Sequence, residues 1–287
     1  MDALPLYHMH QLKLEDRPGD FELIDVAQSF LHARQDVFGA HRHDFFEAFF
    51  LQAVSGKVNI DFSSFTLDGP LVMLILPGQV HRWDLGPLPS GWVLRFSQEW
   101  LGGDAAFDTT LVGHFLPSLV QLSPEQDQVF LSVTSLMHRE FQADLPRRTE
   151  GLSALLRLWL LEFYRLVNAT GQWELSPPRP LSRRFLDLID HQFGSHPSVR
   201  DLAGELGTST TRLFNEVRAD LGQTPGELVR NRLLLEAKRL LSLSERNVSE
   251  IAWELGFEDP SYFTRFFRKA MRCTPLEFRN QAEKAIE

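Results

Sequence analysis

Three histidines and one glutamate lie at spacings that suit a metal site. His41, His43 and Glu47 fall close together, and His81 follows in the segment Pro77 to Trp83. In an extended strand every second residue points to the same face, so the first three share a face that His81 can join. Imidazole and carboxylate groups in this combination bind iron, manganese or zinc. A metal-free set of polar residues is the other interpretation, and we expect no cofactor.

A duplicated helix pair stands in the last third of the chain. The segment 202–207, LAGELG, recurs 49 residues later as 251–256, IAWELG. Each copy ends at a glycine, which permits a turn, and Ser209 or Asp259 then provides the N-cap of a second helix. This arrangement is typical of a helix-turn-helix, whose second helix enters the major groove of DNA. A helical hairpin without DNA contact is the alternative.

Apolar residues four apart predict the buried face of each second helix. Leu213 and Val217 mark it in the first copy, and Phe263 and Phe267 in the second. The outer faces carry the expected DNA contacts, which are Thr210, Thr211, Phe214, Asn215 and Arg218, then Ser261, Thr264, Arg265, Arg268 and Lys269.

These side chains differ in the part of DNA that they are expected to contact. Asn215 matches adenine and Arg265 matches guanine, whereas Arg268 and Lys269 suit phosphates. Any one of them can instead be an ordinary solvated residue.

A change of pattern divides the chain into two domains. The segment 168–180, NATGQWELSPPRP, predicts a linker between residues 1–167 and residues 181–287. Upstream, apolar runs predict an antiparallel sheet, followed by two amphipathic helices between Pro124 and Val167. The predicted strands are 45–54, 58–65, 71–76 and 92–96. Downstream, nearly every segment predicts helix.

Charge also separates the halves. The 287 residues are 43% apolar and 23% charged, which excludes a disordered, collagen-like or coiled-coil protein. The net charge of −9 argues against a nucleic-acid partner, but residues 1–180 hold 13 Lys and Arg against 22 Asp and Glu, and residues 181–287 hold 16 of each. The acidity therefore belongs to the first half alone.

The start of the chain and its cysteine content predict a cytoplasmic protein. Cys273 is the one cysteine, and the N-terminus is acidic where a signal peptide is basic and apolar. No apolar stretch reaches the length of a membrane span, so no membrane partner is expected.

The segment 201–279 resembles the AraC/XylS family of bacterial transcription regulators. The similarity rests on AGELGTS, GQTP, NRLLLEAKRLL and IAWELGFEDPSYFTRFFRK. It implies two helix-turn-helix units, joined by a long helix, that enter successive major grooves of double-stranded promoter DNA. Arg272 stands where the family usually has glycine, which we expect to alter a turn. Asn215 stands where arginine is common, which we expect to change base preference.

The first half resembles the two motifs of cupins, which are small β-barrels that serve regulators of this family as effector-binding domains. The segments are 41–47, HRHDFFE, followed by Gly56, and 77–83, PGQVHRW. The resemblance implies an α+β two-domain protein, with an N-terminal cupin-like β-barrel, two following helices and an all-α C-terminal domain. Effector contacts are expected from His41, His43, Phe45, Glu47, His81, Trp83 and Arg95. Arg95 can bind a carboxylate if it faces inward, and a filled barrel without ligand is the alternative.

These features predict a sequence-specific DNA-binding transcription regulator, not an enzyme, whose barrel senses a small molecule. The two amphipathic helices can pack on the barrel alone or pair with a second subunit, and by analogy with the family we expect a homodimer. The resemblance further implies RNA polymerase as a partner of an activator, and association with the nucleoid when bound to DNA. One alternative is a metal-dependent cupin enzyme, a dioxygenase or isomerase, that uses His41, His43, Glu47 and His81. Another is a ligand-independent DNA-binding scaffold that acts through protein contacts.

Overall fold

The computed structural model describes residues 6–9, 21–32, 39–101, 119–143, 145–169, 179–244 and 246–286. The chain forms two compact units, Pro5–Glu174 and Leu175–Glu287. Sheets and helices make up the first unit, and every secondary-structure element described in the second unit is a helix. None of the described helices has the length and apolar character needed to cross a membrane.

Antiparallel sheets dominate the first unit. The strands are β1 Leu6–Tyr7, β2 Phe21–Asp25, β3 Arg42–His43, β4 Phe46–Ala53, β5 Ser55–Ile60, β6 Ser63–Asp68, β7 Leu71–Ile75, β8 His81–Leu85, β9 Ser90–Phe96 and β10 Leu119–Gln121. One sheet has the order β10-β7-β4-β9-β2 and another has the order β6-β5-β8, while β1 and β3 pair in parallel. A backbone bridge joins His41 to His81.

One apolar core lies between the two larger sheets. Phe49 and Val93 from the five-stranded sheet pack in the same cluster as Val58 and Trp83 from the three-stranded sheet. Helix α1, Val26–His32, follows β2 and adds two further apolar residues to the cluster. Because side chains alternate along a strand, the face of β4 and β9 that carries Phe49 and Val93 also carries Glu47 and Arg95. The alternation therefore directs two charged groups inward.

Two helices cover the opposite face of the five-stranded sheet. They are α2, Pro124–Gln142, and α3, Arg148–Ala169, and the predicted break at residues 145–147 falls between them. Phe50 of β4 lies 6.0 Å from the ring of Phe130, which lies 5.0 Å from Trp159. All three rings are buried, and burying side chains of this size contributes roughly 1.5–3 kcal/mol each.

The predicted single strand 58–65 is wrong, because the chain turns back at Asp61. Strand β5 ends at Ile60 and β6 begins at Ser63. Asp61 has a φ of 51°, a conformation that aspartate tolerates better than most residues. Its N–H donates to the Val80 carbonyl at 2.6 Å, and its carboxylate accepts from the Val80 N–H at 3.2 Å. These bonds hold the hairpin against the segment that leads into β8.

The second unit contains the duplicated helix pair that the repeat predicts. The helices are α4 Pro180–Gln192, α5 Val199–Glu205, α6 Thr210–Leu221, α7 Pro225–Leu243, α8 Val248–Glu254, α9 Pro260–Met271 and α10 Pro275–Ile286. Helices α5 and α6 form the first pair, α8 and α9 the second, and the long α7 joins them. Ser209 caps α6 by accepting the N–H of Arg212 at 3.2 Å, and Asp259 caps α9 by accepting the N–H of Ser261 at 2.8 Å.

The second helix of each pair ends in the same left-handed turn. Gly222 has a φ of 69° and Arg272 a φ of 62°. Their N–H groups donate to the carbonyls of Arg218 and Arg268 at 3.0 and 2.9 Å. The expected alteration of the turn at Arg272 is therefore absent. The arginine adopts the glycine conformation, which costs roughly 1–2 kcal/mol for a residue with a Cβ.

Candidate functional site

The polar residues predicted in the first unit come together on the inner face of the sheets. Strands β4 and β9 pair Glu47 directly with Arg95, and β2 pairs Glu22 with Arg95 from the other side. The bridge between His41 and His81 brings the first residue of β8 against the residue that precedes β3. Sheet pairing thus assembles residues that are far apart in the sequence.

The Glu47 carboxylate lies at the centre of this cluster. Its Oε1 accepts from Arg95 Nε at 2.8 Å, and its Oε2 lies 3.2 Å from His43 Nε2 and 3.8 Å from His81 Nε2. Side chains of all four residues are buried, with 7% or less exposed. A buried carboxylate needs such compensation because water no longer solvates its charge.

Hydrogen bonds to the backbone define the tautomers of two histidines. His43 Nδ1 lies 2.6 Å from the Phe45 carbonyl oxygen, and His81 Nδ1 lies 3.4 Å from the Gln79 carbonyl oxygen. A carbonyl oxygen only accepts, so each Nδ1 is the donor, and the neutral ring of His81 then presents a lone pair at Nε2. His81 Nε2 is buried and has no hydrogen-bond partner within the described part of the chain, whereas His43 Nε2 faces the Glu47 carboxylate.

Burial and neighbouring charges set the protonation of the cluster. Burial alone would raise the pKa of Glu47, but His43 and Arg95 outweigh it and hold that pKa well below its usual value. Burial lowers the pKa of His41, and burial together with His41 and His43 lowers the pKa of His81 well below its usual value. At neutral pH the cluster therefore contains an ionised Glu47 and neutral rings at His41 and His81.

Arg95 faces inward, as an effector contact requires, but protein groups already bind it. Its Nε donates to Glu47, its Nη1 lies 3.5 Å from a carboxylate oxygen of Glu22, and its Nη2 donates to Ser29 Oγ at 2.8 Å. Glu22, Glu47 and Arg95 together carry a formal charge of −1. The expectation that Arg95 binds an effector carboxylate conflicts with this geometry, since a further anion would meet two carboxylates.

The aromatic residues of the predicted site line the cluster. Phe45 stacks on His43 with ring centres 4.3 Å apart, and Trp83 lies edge-on to Phe49 at 5.0 Å. His41 lies beside His81, with ring centres 4.1 Å apart. All seven predicted effector residues are thus buried together.

Three of these residues fit the metal that the cupin motifs imply. Donor atoms of His43, Glu47 and His81 all lie within 4.8 Å of one another, and this group does not include His41. Two imidazole nitrogens and a carboxylate are suitable ligands for a first-row metal. Histidine ligands also characteristically donate their other N–H to a carbonyl, as both rings do here.

Helix α6 presents the predicted DNA contacts of the first copy. Leu213 and Val217 are buried, as their spacing predicts. On the opposite side, the guanidinium of Arg218 lies 5.9 Å from the ring centre of Phe214. The exposed residues are Thr210, Thr211, Phe214, Asn215 and Arg218.

Helix α9 presents the matching face of the second copy. Phe263 and Phe267 are buried, as their spacing predicts. Thr264 is half-buried, and its hydroxyl donates to the Pro260 carbonyl at 3.0 Å, so this side chain already has a partner within the helix. The predicted DNA contacts that are exposed on this helix are Ser261, Arg265, Arg268 and Lys269.

The sequence reasoning missed residues at both sites. Tyr262 is 58% exposed, and the guanidinium of Arg265 lies 5.8 Å from its ring centre. Its spacing of three from Arg265 and seven from Lys269 places it on the same helix face, which could have identified it. Glu22 was also missed, although it alternates with Ile24 along β2 toward the core side.

Comparison with known proteins assigns the second unit. Residues 202–281 match the family described as a helix-turn-helix domain. The histidine kinase P4 of Formosa agariphila is 33% identical over 101 residues, which are 35% of this chain and 7% of that protein's length. The C-terminal domain of AraT from Geobacillus stearothermophilus is 28% identical, with a TM-score of 0.36 over 37% of this chain and 88% of that one.

A further relative covers most of the chain. The arabinose operon regulatory protein of Salmonella typhimurium is 27% identical over 241 residues, which are 79% of this chain and 81% of that protein. Its similarity reaches beyond the helix-turn-helix domain, and it is a regulator, so the alternative of a metal-dependent enzyme is not supported. The chain is a DNA-binding transcription regulator that carries a helix-turn-helix domain over residues 202–281 and is similar to the arabinose operon regulatory protein along most of its length.

Proposed function

We propose that α6 and α9 are the two recognition helices and read successive major grooves of promoter DNA. The supporting observation is that the two exposed faces match at an offset of 50 residues, where Asn215 corresponds to Arg265 and Arg218 to Arg268. Asn215 and Arg265 contact base edges, while Arg218, Arg268 and Lys269 contact phosphates. The remaining contacts are Thr210, Thr211, Phe214, Ser261 and Thr264.

The test is Arg265→Ala on a duplex that full-length protein selects from a random pool. Loss of a bidentate guanine contact weakens binding by roughly 1–3 kcal/mol and relaxes specificity at one base pair. Arg157→Ala is the matched control, because Arg157 is an exposed arginine of the first unit. A loss below about 0.5 kcal/mol for Arg265→Ala contradicts direct base contact.

For the first unit, we propose a cupin-like sensor of residues 1–167 that a linker, 168–180, connects to the DNA-binding domain, 181–287. The cluster favours an effector that donates hydrogen bonds and carries no negative charge, such as a neutral polyol. The reason is that His81 Nε2 offers a lone pair, while Glu47 and Glu22 repel anions. A relative named for the arabinose operon is consistent with this class.

A matched ligand panel tests the effector class. Neutral sugars are compared with the corresponding sugar acids by thermal shift of the full-length protein. A neutral sugar raises the melting temperature of the wild type and not that of His81→Ala. Stabilisation by sugar acids alone would contradict the proposed class.

A bound metal is the second candidate for the sensor, and the convergent donor atoms favour it. His43, Glu47 and His81 would hold the ion, and the ion would compensate the formal charge of −1 on Glu22, Glu47 and Arg95. Elemental analysis of protein purified without chelators tests this, with His43→Ala as the comparison. Absence of a stoichiometric metal from the wild type rejects the candidate.

Dimerisation and the cellular setting are further parts of the proposal. Val129 and Leu136 of α2, and Leu158 and Leu161 of α3, are apolar side chains about 40% exposed, and we propose that they form a homodimer surface. Light scattering at micromolar concentration tests it, and a monomer with and without DNA rejects it. We also propose that the protein is cytoplasmic and associates with the nucleoid. If it activates transcription, it contacts RNA polymerase.

A further inference from the structure

The two helix-turn-helix turns share their backbone geometry but have different neighbours. Gly207, with a φ of 67°, donates to the Gly204 carbonyl at 3.0 Å, and Gly256, with a φ of 80°, donates to the Trp253 carbonyl at 3.0 Å. A Cβ added to Gly207 would meet no described atom within 4 Å. A Cβ added to Gly256 would lie 2.0 Å from the carbonyl oxygen of Gly194.

The segment that contacts the second turn is 193–196, a single 3-10 turn and the residue after it. His196 Nε2 donates to the Leu255 carbonyl at 2.7 Å, and its ring lies edge-on to Phe257 at 4.4 Å between centres. The Leu255 carbonyl stands at the end of α8, where helix carbonyls lack partners within the helix. His196 itself has a φ of 53°, which a residue with a Cβ adopts only when its surroundings favour it.

The helix before this segment is bound to the first helix pair. At the start of α4, the Arg179 side chain and Ser182 donate to the Asp220 carboxylate near the end of α6, at 2.9 and 2.6 Å. At the end of α4, Gln192 donates to Glu205 of α5 at 3.0 Å. Helix α4 and residues 193–196 therefore run from the first helix pair to the turn of the second.

The same segment is attached to the long connecting helix. Arg232 of α7 lies with its guanidinium 4.1 Å from the ring centre of Phe193, and its Nε donates to Asp190 at 2.7 Å. Phe193 also packs against the apolar core of the second helix pair. Two connections, α7 and residues 193–196, thus link the two pairs.

We propose that residues 193–196 act as a brace that fixes the spacing between α6 and α9, so that both helices bind DNA as one rigid unit. This inference rests on the proposed function, since it concerns the helices proposed to read DNA. His196 and Gly256 are positioning residues, because they act through the turn at Leu255 and contact no base. Without the brace, α7 still connects the two pairs among the described residues, but their relative orientation is less restricted. DNA binding must then also fix that orientation.

Two glycine substitutions isolate the brace. Gly256→Ala and Gly207→Ala both place a Cβ at positive φ, with similar backbone cost, but Gly256→Ala also collides with Gly194. His196→Asn is a milder variant, because asparagine tolerates the left-handed region but lacks the ring that contacts Phe257. Circular dichroism first establishes that each full-length variant is folded.

Distances between the recognition helices provide the first measurement. Spin labels are attached to Ala219→Cys and Ala270→Cys in a Cys273→Ser background, because both alanines are exposed and are not proposed DNA contacts. The wild type and Gly207→Ala give one narrow distance distribution, whereas Gly256→Ala and His196→Asn give a broader one. A Gly256→Ala distribution as narrow as that of Gly207→Ala overturns the brace. If Gly256→Ala does not fold, an unchanged distribution for His196→Asn overturns it.

DNA binding provides the second measurement, on the duplex that the wild type selects from a random pool. His196→Asn binds this duplex about 2- to 10-fold more weakly, as expected for one lost hydrogen bond. When one base pair is inserted between the segments that α6 and α9 contact, His196→Asn loses less affinity than the wild type does. Failure of the wild type to enrich any duplex refutes the proposed DNA reading and leaves the distance result intact. Normal enrichment with unaltered distances in the variants refutes the brace alone.

Discussion

The two units of this regulator treat charge in opposite ways. In the first unit, Glu22, Glu47 and Arg95 point into the protein and are buried beside three histidines. In the second unit, the arginines of α6 and α9 that are proposed to contact DNA point outward, and Arg218, Arg265 and Arg268 are exposed. The buried charges therefore affect the stability of the first unit, whereas the exposed charges of the second unit can contact a partner.

This difference has a simple physical origin. A buried charge loses its hydration, so each partner in the Glu22, Arg95 and Glu47 ladder is needed to compensate the others. An exposed arginine keeps its hydration and contributes little to stability, so its value lies in binding. Substitutions of the same residue type should therefore have different consequences in the two units.

The largest expected effect is that of Arg95→Met. Removing the guanidinium leaves the Glu22 and Glu47 carboxylates buried without the cation between them, which destabilises the first unit by roughly 3–5 kcal/mol. The measurement is urea unfolding in a Trp253→Phe background, in which the remaining tryptophans all precede the helical unit. Arg82→Met is the matched control, because Arg82 is exposed on the neighbouring β8. Equal losses of unfolding free energy in the two variants would show that the stability of the first unit does not depend on the Arg95 charge.

A smaller effect is expected at the turn after α9. Arg272→Gly removes a Cβ from the left-handed conformation and should stabilise the second unit by about 1 kcal/mol. Gly222→Arg at the equivalent position after α6 should destabilise it by a similar amount. Thermal unfolding followed by the fluorescence of Trp253, which lies in this unit, measures both. Destabilisation by Arg272→Gly would mean that the arginine side chain contributes more than its backbone costs.

The smallest effect on stability is expected for Arg268→Ala. Because this side chain is exposed, the free energy of unfolding should change by less than about 0.5 kcal/mol. DNA affinity should fall almost uniformly across sequences, and the slope of log affinity against log salt should decrease by about 1. Filter binding at several salt concentrations measures that slope. A sequence-dependent loss would instead assign Arg268 to base contact.

Sequence reasoning anticipated the helical unit better than the sheets. The repeat at 202–207 and 251–256, with caps at Ser209 and Asp259, is local, so each helix pair could be recognised without knowledge of its partners. The hairpin at Asp61 was missed because its stabilising bonds reach Val80, which lies far along the chain. Only the folded chain brings that segment alongside.

The candidate sites show the same contrast. Helical periodicity separated Leu213 and Val217 from the exposed residues of α6, because that distinction depends on neighbouring positions. The motif predicted that His43, Glu47 and His81 come together, but not that Arg95 is already occupied. Its partners Glu22 and Ser29 come from β2 and α1, and such pairings depend on strand register.

The matching turns at Gly207 and Gly256 have a consequence for how this protein can diversify. Because each recognition helix begins at its own cap and hides the same inward positions, its outward residues form a cassette that can change without disturbing the core. Under the proposed function, substitutions on one outward face leave the DNA contacts of the other face in place. Operator preference can therefore be changed one helix at a time.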